Sequence, residues 1–255
     1  MIIINEYDYV KGIMDSREVP KDVSNKRLLT YIAKYYFLPD RSVDEFKTFV
    51  FDEMKKFNLP LNNYQEYKYD SYVKSLCEKL LSNEMSSELK NVSSVDIYES
   101  ELVVIQKGEN DKERKLLFTL FVLAKINGNN TGWVNNETKD IFGLANITAS
   151  TNDRALLIHK LYKSGLISQN HKNDKLGYKV ELGSCDEPII LTLTSFDNIG
   201  NQYIANFKQG WKMCECCGKL FKVKSKYDGS SKYCKQCAEK ITRENWRLSK
   251  ERLRN

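Results

Sequence analysis

The chain has 255 residues, 41% of them apolar and 29% charged, with a formal net charge of +6. That length can hold two or three modest domains, since domains usually run about 100–150 residues. No apolar run approaches the ~18 residues of a membrane-spanning helix, and Met1–Asn5 is too short and lacks the basic lead-in of a signal peptide.

Residues 1–90 read as mainly helical. Leu28, Leu29, Ile32 and Tyr36 recur at helical spacing. The same holds for Val43, Phe46, Val50, Met54 and Phe57, and again for Tyr69, Tyr72, Val73, Leu76 and Leu80. Pro39 and Pro60 punctuate these runs, and Ser42 followed by Glu45 predicts a capping box opening the second helix. The many aromatics here, Tyr31, Tyr35, Phe46 and Phe51 among them, suit a helical core better than a stacking surface for bases. Cys77 belongs to the same apolar pattern and is expected in the core. Ser82–Ser94, rich in Ser, Asn and Glu, is the first domain boundary.

Further along, Leu116, Leu117, Leu120, Phe121 and Leu123 predict an apolar helix that ends at the turn Asn127–Asn130. Gly132-Trp133-Val134 reads as a very short strand and Glu137–Ala145 as a short helix. Ser150, with Asp153 three residues on, caps a helix that ends near Ser164-Gly165. That helix is expected to carry His159 in a packed position. Leu166–Ser168 and Tyr178–Leu182 alternate like strands about a polar tip at Asn170–Lys175, and Pro188–Leu193 reads as another strand. A linking helix is expected from Phe196 to Phe207.

Two Cys-x-x-Cys pairs follow, Cys214/Cys217 with Gly218 directly behind, and Cys234/Cys237. Four such sulfurs supply a tetrahedral metal ion, with zinc–sulfur bonds of about 2.3 Å. A structural zinc ion is the first expectation; iron in a similar cage and disulfides are the alternatives. With no export signal the expected compartment is a reducing cytoplasm, which favours metal over disulfides and leaves Cys77, Cys185 and Cys216 as spare thiols. Lys219–Lys224 suggests a hairpin strand and Asp228–Ser231 its turn, after which the second pair opens a long helix.

The charge is unevenly spread. Residues 1–92 carry 14 Lys/Arg against 15 Asp/Glu, 93–185 carry 12 against 11, and 186–255 carry 14 against 8. The whole excess therefore travels with the cysteines, as expected of a module facing phosphates, although lysines there also balance a thiolate-bound metal. Lys240, Arg243, Arg247, Lys250 and Arg254 fall within an arc of about 80° on a helix, with Ala238, Ile241 and Leu248 roughly opposite. Glu239–Arg243, Lys240–Glu244 and Arg247–Glu251 are also the pairs of an ordinary solvated helix.

The order from Glu113 to Leu182, helix, short strand, helix, turn, helix and ribbon, resembles a winged helix-turn-helix. That resemblance implies that Ser150, Thr151, Asn152 and Arg154 face the major groove of DNA, with His171, Lys172 and Lys175 as wing contacts. Asp153 and the low charge of the segment speak for protein docking instead. Residues 211–245 resemble treble-clef and zinc-ribbon fingers. The whole layout, with Leu-Leu-Phe-Thr-Leu near residue 118 and the cysteine end, is similar to uncharacterised proteins of Gram-positive phages and mobile elements.

The expectation is thus a mainly α, multi-domain chain. It has a helical domain (1–92), a winged helix of α+β type (93–185), a linking strand and helix (186–210), and a four-cysteine finger with a long basic helix (211–255). The function expected is duplex-DNA binding by a regulator or replication-associated factor. The alternative is a protein-interaction module, such as a counter-defence inhibitor or adaptor on a host nucleic-acid-processing complex. A homodimer would suit a helix-turn-helix, but no heptads announce one. With only two histidines and no phosphate loop, nucleophile elbow or zinc-protease motif, the chain is expected not to be an enzyme.

Overall fold

The computed structural model describes residues 2–58, 64–126, 131–170, 177–223 and 231–252. The expected turn at Asn127–Asn130, the wing residues His171, Lys172 and Lys175, the Asp228–Ser230 part of the later turn, Pro60 and Arg254 lie outside them. The protein is mainly α, with ten α-helices and three small sheets among the described residues. It divides into two compact units, residues 3–92 and residues 93–255 together with the first two residues. No described helix is long and apolar enough to cross a membrane.

In the first unit four helices, α1 (Glu6–Ser16), α2 (Asn25–Tyr35), α3 (Val43–Lys55) and α4 (Asp70–Leu81), enclose one core. Helix α3 starts where a local signal tells it to: the Ser42 side chain accepts from Glu45 N, and the Glu45 carboxylate accepts from Ser42 N at 3.0 Å. Phe46, Val50 and Met54 of α3 are fully buried with Leu28, Leu29 and Ile32 of α2 and Val73 and Leu80 of α4. Tyr31 and Phe51 join this core, while Tyr35, Tyr36, Phe37 and Phe49 pack partly buried against it. Cys77 is fully buried, and burial pushes its thiol up to about 12, so it serves as an inert apolar residue. The two ends of the unit are tied together, Glu6 N donating to Lys90 O at 2.8 Å and Val92 N to Asn5 Oδ1 at 2.9 Å.

The second unit is built around α6 (Asp111–Ile126), buried on nearly every side from Leu116 to Ala124. Before it come β1 (Val95–Tyr98) and α5 (Glu99–Gln106). After it come β2 (Trp133–Val134), α7 (Thr138–Leu144), α8 (Thr151–Lys163), β3 (Ser168–Asn170) and β4 (Gly177–Lys179). Strands β2, β3 and β4 form an antiparallel sheet in the order β2-β4-β3. The segment expected to link this region to the cysteines is part of the same body. Its strand β5 (Ile189–Leu193) pairs antiparallel with β1, Val95 opposite Leu193. Its helix α9 (Ile199–Phe207) lies along α6, with Tyr203 and Phe207 rings at 5.5 Å and 6.5 Å from Phe118. Gly200 lets the start of α9 also press against the end of α7, since a Cβ there would sit 2.2 Å from the Ala145 carbonyl oxygen.

One buried ion pair fastens these layers. Glu101 is fully buried and meets Lys125 Nζ at 2.7 Å. Its carboxylate also accepts from Tyr98 N and Gly183 N, and Lys125 Nζ stands 3.8 Å from the Tyr98 ring centroid. Every lone pair that matters has a donor, so the pair is tolerated; removing one partner strands a charge. Glu101→Ala is expected to destabilise the second unit by about 3–5 kcal/mol in denaturant titrations, with the double variant Glu101→Leu/Lys125→Leu recovering much of the loss.

Candidate metal centre and basic arm

The last segment begins with a hairpin whose loop is the first cysteine pair. Strand β6 (Trp211–Met213) pairs with β7 (Leu220–Lys222), Met213 opposite Leu220. The sequence suggested that the strand after Lys219 pairs forward, across a turn at Asp228–Ser231. It pairs backward instead, because the turn between the strands closes on itself. Gly218 N donates to Cys214 O at 2.8 Å and Cys214 N to Lys219 O at 2.9 Å. Gly218 takes φ +64, the left-handed conformation that glycine adopts at little cost.

The second pair sits at the start of α10 (Lys235–Arg252), where Cys234 O accepts the first helical bond from Ala238 N. The knuckle and the helix start thereby bring Cys214, Cys217, Cys234 and Cys237 together, with all four sulfurs within 4.8 Å of one another. Cys217 Sγ and Cys234 Sγ are 3.8 Å apart, far beyond a disulfide bond of about 2.05 Å. Four sulfurs at 2.3 Å from a tetrahedral centre would stand roughly 3.8 Å from one another. The cluster can therefore hold a metal ion, and its dimensions are compatible with zinc.

Its electrostatics suit a cation too. Burial opposes charge on Cys214, but the backbone amides of Cys234, Cys217 and Cys216 outweigh it and draw that thiol down to about 6. Cys234 N donates to the Cys214 sulfur at 3.2 Å. Cys237 moves the other way, raised by its neighbours Cys217 and Cys234. Crowded sulfurs cannot all ionise without a positive centre among them, and a bound metal ion would supply that centre while protons are released. The spare thiols Cys185 and Cys216 are exposed.

Beyond the cluster α10 stands free. Ala238 and Ile241 are half-buried, but from Thr242 to Glu251 every residue is exposed. Lys240, Arg243, Arg247 and Lys250 share one stripe of this helix. Arg243 approaches Glu239 and Arg247 approaches Glu251, each at 3.8 Å along the helix; Lys240–Glu244 is not among the ion pairs of the described residues. Trp246 is 67% exposed and Leu248 42%.

The candidate base-reading residues lie at the start of α8 and differ in their engagements. Ser150 caps the helix: its hydroxyl donates to the Asp153 carboxylate at 2.7 Å and accepts from Asp153 N. Thr151 and Asn152 are exposed. Arg154 is half-buried, its guanidinium 5.8 Å from the Phe142 ring centroid and its Nε buried without a hydrogen-bond partner. His159, expected to be packed, is exposed, because the helix turns Ile158 and Leu161 inward and leaves the next position outward. Arg154 and His159 line one cavity, which periodicity alone could not reveal because its other walls come from α7, β3 and β4. No family profile, curated protein or solved structure matches the chain.

Proposed function

We propose that this chain is a non-enzymatic, duplex-DNA-binding factor of a regulatory or replication-associated kind, with a zinc-clamped cationic arm as its main phosphate contact. The observation that carries this reading is α10. A helix rooted in a four-cysteine cluster, exposed on all faces for ten residues and bearing one stripe of four cations, is costly to hold in water without a partner. A polyanion supplies the missing contacts and gains from released counterions.

The run from α6 to β4 supports a winged helix as the second contact. Its element order is helix, strand, two helices, two strands, and its last strand inserts between the other two, β2-β4-β3. On this reading α8 enters the major groove, with Thr151 and Asn152 as its free polar groups. Asn suits adenine through two hydrogen bonds. Arg154, leaning on Phe142, would reach the groove only after leaving that ring.

A protein partner is the second reading, and Trp246 and Leu248 favour it, since exposed large apolar groups are common anchors in protein interfaces. Salt titration of the metal-loaded protein on a fixed duplex separates the two. If each cation of the described stripe neutralises one phosphate, the log–log slope is about −3.6. A slope near zero, or no binding at low salt, would end the DNA reading.

A further inference from the structure

A cavity opens beside α8. It has a volume of about 680 Å³ and lies between the first turn of α7, one side of α8 and strands β3 and β4. Pockets of about 300–1,000 Å³ are the usual size for small organic ligands. Ile158 and Tyr178, both buried, and Ala155 give it an apolar floor. Above that floor stand Lys139, Arg154 and His159, and no carboxylate is among the described residues that line the cavity. The hydroxyls of Thr138 and Tyr178 share one hydrogen bond of 2.7 Å, so each oxygen has a partner. The buried Nε of Arg154 has none.

An unpaired buried donor costs about 1–3 kcal/mol, and a guanidinium regains most by binding a carboxylate through two parallel hydrogen bonds. A DNA phosphodiester would meet the cations but leave the apolar floor bare. We propose that this cavity binds a small organic carboxylate with an aryl or branched aliphatic body. Its carboxylate meets Arg154 and Lys139, and its body lies over Ile158, Ala155 and the Tyr178 ring. The cavity shares Thr151 and Arg154 with the proposed groove-facing end of α8, so its test is run without DNA; it does not involve the cysteine cluster.

The experiment is a titration of the isotope-labelled, metal-loaded full chain with phenylbutyrate and with its neutral amide, followed by amide proton–nitrogen spectra. Phenylbutyrate should give saturable shifts confined to α7, α8, β3 and β4, and the amide should bind about tenfold more weakly, for want of charge-assisted bonds. Lys139→Gln and Arg154→Gln should each weaken the acid severalfold and leave the amide unchanged. Because Arg154 also packs on Phe142, the exposed Lys139 supplies the variant whose folding is not at stake. Equal affinity for acid and amide, shifts spread over the chain, no saturation, or a Lys139→Gln variant that binds the acid as before would each overturn the proposal.

Discussion

Stripping the metal, or replacing Cys214 with Ser, is expected to unfold residues 211–252 while residues 3–92 remain folded. The reason is the near absence of a core in the cysteine segment. Among its described residues only Cys214 and Val223 are buried apolar groups, against eighteen buried residues in the core of the first unit. A segment this small cannot offset its conformational entropy by burial and needs a staple. Structural zinc supplies an apparent 10–16 kcal/mol at neutral pH, roughly, which is the scale required. Hydrogen exchange checks it: amides of α10 should lose protection on chelation, and those around Leu28 and Phe46 should not change. Acid should act as chelation does. Metal binding requires thiolates, and the backbone amides around Cys214 draw its thiol down to about 6. Lowering the pH through that value protonates it, on top of the more basic Cys237, so metal is released progressively as pH falls from neutral. Retained α10 protection in metal-free protein would show that the arm is held by something other than the cysteines.

What could be read from the sequence was local. The capping boxes at Ser42/Glu45 and Ser150/Asp153 form because both partners lie within one helical turn. The four cysteines meet because each Cys-x-x-Cys pair is itself a tight turn, so only one long closure is needed. Helices α2 to α4 announced themselves through apolar residues three and four apart, whereas α1 and α5 did not. In α5 the fully buried Glu101 interrupts the apolar pattern, and its burial depends on Lys125, a residue in another helix. Strand β1 was hidden because its partner β5 lies almost a hundred residues away. Strand β3 begins at Ser168, after the buried Ile167, so an alternation read from Leu166 to Ser168 was displaced toward the apolar plug that precedes the strand. The cysteine site was therefore visible from spacing, while the α8 cavity, assembled from four elements, was not.

The second large effect concerns the arm itself. Arg243→Glu/Arg247→Glu/Lys250→Glu is expected to weaken duplex-DNA binding more than tenfold and to reduce the salt slope by about 0.9 for each phosphate no longer neutralised. All three residues are exposed. Among the described residues the reversal gives up the pairs Arg243–Glu239 and Arg247–Glu251, each at 3.8 Å, and sets Glu beside Glu at 239/243, 243/247 and 247/251, each change costing about 0.2–0.5 kcal/mol of helix stability. The neutral variant Arg243→Gln/Arg247→Gln/Lys250→Gln avoids the like-charge neighbours, and its metal content and α10 protection should match the parent, which isolates charge from folding. The companion variant Trp246→Ala distinguishes the partner classes. Trp246 neighbours Lys250 on the helix, about 40° around the axis, so against nucleic acid its replacement removes at most one stacking interaction. Against a protein it would remove the largest exposed apolar group on the arm, the kind of residue whose truncation costs 2 kcal/mol or more, roughly, at an interface centre. If DNA binding persists unchanged through the triple charge reversal, the stripe does not meet phosphates. The free face of α10 must then be answered by an acidic or apolar protein surface.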